Sequence, residues 1–109
     1  MEMLDKVPLE LFIDIRSKIS QRDIRLTKTI YAGFVPQHGM EILDTEMVFR
    51  VRTTALAGLQ TLKHVAYPLR RGKMIEGNRK IVSKMFPKDD ALLEESISYF
   101  VRQGWKIEQ

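Results

Sequence analysis

Arginine dominates the residues whose chemistry could define a function. Arg50 and Arg52 stand one residue apart in the alternating run "EILDTEMVFRVRTT", and Arg70 and Arg71 stand side by side before Gly72. The stretch "YPLRRGKMIEGNRKIVSKMF" then adds Lys73, Arg79, Lys80 and Lys84 against the single acid Glu76. A guanidinium can grip two phosphate oxygens at once, and every Lys or Arg that neutralises a phosphate on a nucleic acid releases condensed counterions. Residues i and i+2 of a strand project from the same face, so Arg50 and Arg52 are expected to act together. Tyr31, on the polar face of an adjoining strand, offers a stacking surface for a base. The competing reading makes these side chains a solvated, salt-bridged surface with Asp44 and Glu46 as cross-strand partners.

Charge is unevenly distributed. Residues 1 to 47 hold six Lys/Arg against eight Asp/Glu, residues 48 to 86 hold nine against one, and residues 87 to 109 hold three against five. The formal net charge of +4 therefore belongs to a cationic middle third between two mildly acidic ends. Such asymmetry attracts polyanions. The expected partner is nucleic acid, with an acidic protein as the alternative.

Other chemistries find little support. The chain has no cysteine, which removes disulfides, thiolate nucleophiles and cysteine-ligated metals together. "RRGKMIEG" contains Gly and Lys but is not a phosphate-cradling loop, which needs "GxxxxGK" followed by Ser or Thr, whereas Asn78 and Arg79 follow Gly77. His38 and His64 have no further ligand at metal spacing, and a metal site needs three or four convergent donors. Asp89–Asp90 and Glu94–Glu95 fall in the first turns of an expected helix, where acids favour the dipole rather than proton transfer. No nucleophile motif accompanies the serines and threonines. A non-catalytic binding module without cofactor or metal is expected.

The positioning elements follow from periodicity. "DKVPLELFIDIRSKIS" satisfies two periods: Val7, Leu9, Leu11, Ile13 and Ile15 alternate like a strand, whereas Leu11, Phe12, Ile15 and Ile19 make a helical stripe behind Pro8. Helix is the preferred reading. The longer string "VPLELFIDIRSKISQRDI" resembles the opening of an F-box, but "RLTKTIYAGFV" follows where that family continues as helix, so no function is carried over. This second segment reads as a strand burying Ile24, Leu26, Ile30, Ala32 and Phe34, with Arg25, Thr27, Thr29 and Tyr31 outside. "PQHG" is a turn, with Gly39 at positive φ, leading into one strand from Glu41 to Thr53 and so an antiparallel hairpin. In that strand Leu43, Met47, Phe49 and Val51 are expected to face the core.

"ALAGLQTLKHVAYPLRRG" has helical spacing at Leu56, Leu59, Leu62, Val65 and Ala66 and ends at Pro68. A continuous helix from Asp44 to Tyr67 competes. "EGN" reads as a turn with left-handed Gly77, "RKIVSKMFP" as a strand, and "KDDALLEESISYFVRQG" as a helix capped by Asp89 or Asp90 and ended by Gly104. "WKIE" closes the chain as a short strand whose edge, with Tyr99, Phe100, Phe86 and Trp105 nearby, could recruit a second copy. The expected fold is a single α+β domain over residues 1–109: a small antiparallel sheet of three to five strands with two or three helices packed mainly on one face. No stretch approaches the ~20 apolar residues of a membrane span, and a cytoplasmic protein is expected.

Overall fold

Alternating polarity carries more of this chain than helical periodicity does. The computed structural model describes residues 6–55 and 62–108. Its strands are β1 (Val7–Arg16), β2 (Asp23–Ala32), β3 (Glu41–Asp44), β4 (Met47–Ala55), β5 (Leu62–Pro68), β6 (Arg70–Arg71), β7 (Met74–Ile75) and β8 (Lys106–Ile107). The helices are α1 (Arg79–Ser83) and α2 (Asp90–Arg102). Six strands form one mixed sheet in the order β3-β4-β5-β1-β2-β8, and β6 and β7 form a separate ribbon. Only β1 and β5 run parallel; the other neighbours in the large sheet are antiparallel.

Register sorts the side chains. Leu9, Leu11, Ile13 and Ile15 of β1, Leu26 of β2, Met47, Phe49 and Val51 of β4 and Ala66 of β5 share the covered face, all buried. Ile81 of α1, Leu93 and Phe100 of α2, Met85 and Trp105 complete that core. α2 is held at its start by Asp89, whose carboxylate accepts from the Leu92 N–H at 2.9 Å, and ends at Gly104 with φ 97°.

The sheet curls until its two sides meet. Lys28 on β2 and Asp44 on β3 are separated by three intervening strands. A flat sheet would hold those strands about 19 Å apart. Lys28 Nζ nevertheless reaches Asp44 Oδ2 at 2.9 Å. Thr45 donates its hydroxyl to the same carboxylate at 2.7 Å and accepts from Trp105 Nε1 at 3.0 Å. Trp105 also stacks on Phe49, ring centroids 5.9 Å apart. One buried indole thus ties the β3–β4 turn to the segment that opens β8.

Several expectations are corrected. Residues 7–16 form a strand rather than a helix; the competing alternation was the physical one, and Ile19, which would have belonged to the helical stripe, is 75% exposed. Glu41 to Thr53 is two strands, not one. Thr45 and Glu46 both have positive φ, 48° and 57°, the twist of a tight two-residue hairpin turn, made here without glycine or asparagine. The reversal pairs Leu43 with Val48, putting Leu43 on the open face, and turns Asp44 to the covered face. β2 pairs with β1 and β8, so the hairpin across "PQHG" does not form, although Gly39 does take φ 87°.

Residues 62–68 are strand β5, which overturns both helical readings there; Leu56 and Leu59 lie outside the described residues. "RKIVSKMFP" begins as α1, its Lys80 N–H bonded to the Asn78 side chain at 2.9 Å. Gly77 is not left-handed. It is required because a Cβ there would lie 2.8 Å from the Glu46 carbonyl oxygen. The α+β expectation of a three-to-five-stranded antiparallel sheet gives way to a predominantly β architecture. Its large sheet is six-stranded and mixed, and only α2 is longer than two turns. The second segment fares better: Leu26 and Ala32 are buried and Ile24 and Ile30 half-buried, while Phe34 lies beyond the strand, half exposed.

Candidate nucleic-acid interface

Among the described residues, the other face of the sheet carries no helix. β1, β5 and β4 present Phe12, Tyr67 and Arg50 side by side there, because Tyr67 pairs with Arg50 and the parallel register that matches Leu11 to Ala66 brings Tyr67 beside Phe12. The Phe12 and Tyr67 rings stack with centroids 5.5 Å apart and planes 19° from parallel. On the far side of Phe12 lies Arg25, its guanidinium carbon 5.5 Å from the ring centroid. Phe12 is thereby 9% exposed on a face that is otherwise wet, while Tyr67 keeps 37% of its surface open. Such a stacked pair contributes about 0.5–1.5 kcal/mol beyond its buried area.

Arg50 and Arg52 leave β4 on this same face, as their spacing in the sequence requires, and Arg70 opens β6 two residues after β5 ends at Pro68. The three line one hollow of about 590 Å³ with Tyr67, Val65 and Leu69. A second hollow of about 400 Å³ lies across a shared wall of Tyr67, Pro68 and Arg70 and adds Arg16, Asp14, Asp23 and Phe86. Arg50 approaches Glu41, its cross-strand partner, at 3.6 Å with both side chains about half exposed, a pair that solvent leaves weak. Neither Arg52 nor Arg70 forms an ion pair among the described residues. The expected partners Asp44 and Glu46 are engaged elsewhere, with Lys28 and with the Asn78 amide.

Arg25 differs. Its guanidinium donates to Asp14 at 2.9 and 3.3 Å, and that hydrogen bond holds its pKa above the ordinary value. It is committed within the sheet. Lys63 is similarly matched to Glu10 at 3.2 Å.

The remaining cations of the central segment do not join the hollow. Arg71 lies in the β6–β7 ribbon, 4.0 Å from Glu76, and Lys73 is exposed in its turn. Arg79 and Lys80 belong to α1, in the layer over the covered face, and Lys84 holds its ammonium 4.8 Å from the centroid of Tyr99. Tyr31 is 64% exposed on the open face, but β1 and β5 separate its strand from Arg50 and Arg52. Tyr67, Arg16 and Phe86 were missed as site residues. Only the parallel pairing of β5 with β1 places Tyr67 there, a long-range contact with no local signature.

His38 is exposed near the Gly39 turn, and His64 lies on the covered face of β5 with its Nδ1 buried and without a hydrogen-bond partner. Among the described residues no three of His, Asp and Glu converge as metal donors, and no helix is long and apolar enough to cross a membrane. β8, the outer strand, is two residues long and carries Lys106, a composition that discourages edge pairing. Set against family models, curated proteins and solved structures, the chain matches none of them.

Proposed function

We propose that this protein is a non-catalytic binding module that holds nucleic acid on the open face of its sheet through Arg50, Arg52 and Arg70. The observation that carries this reading is the convergence of these three guanidinium groups on one hollow beside a half-open tyrosine, two of them without a carboxylate partner among the described residues. An unpaired Arg keeps all its donors for phosphate oxygens, and its planar fork suits them better than an ammonium does. Arg71, Lys73, Arg79, Lys80 and Lys84 lie off this hollow and contribute to long-range attraction rather than contact.

Oligonucleotide binding measured by fluorescence anisotropy across a salt series tests the reading. Three phosphate contacts should give a log–log slope of about −2 to −3, at roughly −0.7 to −0.9 per phosphate. Absence of binding at low salt, or a flat slope, overturns it.

A further inference from the structure

Resting on that reading, the geometry points to single-stranded nucleic acid as the ligand, with phosphates on Arg50 and Arg52 and an unstacked base laid on the open side of Tyr67. One face of Tyr67 is already stacked on Phe12, and a base on the other would extend the Phe12–Tyr67 pile by one ring. Within a duplex, bases are stacked on one another and offer no such face. Arg50 and Arg52, alternate residues of one strand, stand about 6.7 Å apart along the backbone, an interval that matches successive phosphates of a single chain.

The footprint is narrow. A duplex lays a second row of phosphates across the face, but the cation farther across it, Arg25, three strands over from β4, is already matched to Asp14 at 2.9 Å. The strand has somewhere to continue. Tyr67 and Arg70 wall both hollows, and the second adds a further exposed aromatic ring, Phe86, and Arg16, whose pair with Asp23 at 3.5 Å is exposed on both sides and left weak by solvent. Arginines following a backbone beside rings that stack bases are the combination on which sequence-tolerant single-strand binding depends.

Labelled oligo(dT) and oligo(rU) of about twelve nucleotides, within the ~4–16 nucleotide footprint of small single-strand binders, would be titrated beside a duplex of equal length. Tyr67→Leu, which keeps an apolar cover over Phe12, and Tyr67→Phe, which keeps the ring, are compared with the unaltered protein after a melting curve establishes that each is folded. The single strands should bind at least about tenfold more tightly than the duplex, Tyr67→Leu should lose about tenfold on single strands alone, and Tyr67→Phe should change little. The two sugars distinguish DNA from RNA, and preference for either supports the inference. Equal affinity for duplex and single strand with no effect of Tyr67→Leu overturns the single-strand inference and leaves the proposed function standing. If no oligonucleotide binds, or if polyglutamate displaces it as effectively as unlabelled oligonucleotide, both fall.

Discussion

On the covered face of the sheet Lys28 meets Asp44 at 2.9 Å, Thr45 and Trp105 complete the same network, and Leu9, Leu11, Ile13, Ile15, Leu26, Met47 and Phe49 are buried in one core with Ile81, Leu93 and Phe100 of the helices. On the open face Arg52 and Arg70 form no ion pair among the described residues, and Tyr67, stacked on Phe12, keeps 37% of its surface open. The same strands supply both faces, residue by residue in alternation. Apart from the buried His64 Nδ1, the polar groups named on the covered face are satisfied within the molecule. The open face has donors and a ring surface left for something else, and the difference assigns stability to one set of side chains and binding to the other.

Substitutions on the covered face should therefore lower stability and leave the oligonucleotide affinity of the folded protein unchanged. Trp105→Ala removes a buried ring stacked on Phe49 and set edge-on to Phe100, together with its hydrogen bond to Thr45. It should cost about 3–5 kcal/mol in urea unfolding. Gly77→Ala drives a methyl to 2.8 Å from the Glu46 carbonyl oxygen and 2.9 Å from Met47 Cα, backbone atoms that cannot step aside, and should cost about 1–3 kcal/mol. Asp44→Ala strands Lys28, whose side chain is only 22% exposed, at a cost of about 2 kcal/mol. Adding Lys28→Met should restore part of that loss, because both charges are then gone. Smallest is Lys84→Ala, which removes an ammonium–ring contact with Tyr99 and should cost about 0.5 kcal/mol, with nucleic-acid affinity within about twofold of the unaltered protein. Binding defects from Trp105→Ala or Lys84→Ala in folded protein would break the division between the faces.

Much of this division was legible wherever local rules and tertiary packing agree. The alternation of Ile24, Leu26, Ile30 and Ala32 marks β2, and Asp89 and Gly104 bracket α2. The same-face placement of Arg50 and Arg52 needs only the strand period. The failures have particular causes. Phe12 is buried on the open face by Tyr67 and Arg25, which breaks the alternation of β1 and feigns a helical stripe. Val65 and Ala66 are buried on opposite faces of β5, so adjacent apolar residues again resemble a helix. The Thr45–Glu46 turn carries no glycine or asparagine to announce it; it is held from outside by Trp105 and by the Asn78 N–H, which donates to the Glu46 carbonyl at 2.8 Å. Ile81 of α1 and Met85, just past its end, already stand four apart, but the β-branched pair Ile81–Val82 masks the helix. The hollow itself depends on which strands neighbour one another. Local pattern brings in Arg50 and Arg52, whereas Arg70 and Tyr67 arrive only through the β4–β5 and β1–β5 pairings.

The claim that binding resides on the open face is tested most directly by a matched pair of triple variants that remove the same formal charge. In Arg50→Ala/Arg52→Ala/Arg70→Ala, oligonucleotide affinity at low salt should fall about a hundredfold and the salt slope should shrink by about 2. In Arg79→Ala/Lys80→Ala/Lys84→Ala the affinity should stay within about threefold of the unaltered protein, since only long-range attraction is lost. Equal losses in the two variants, or the larger loss in the helical-layer variant, would contradict the account.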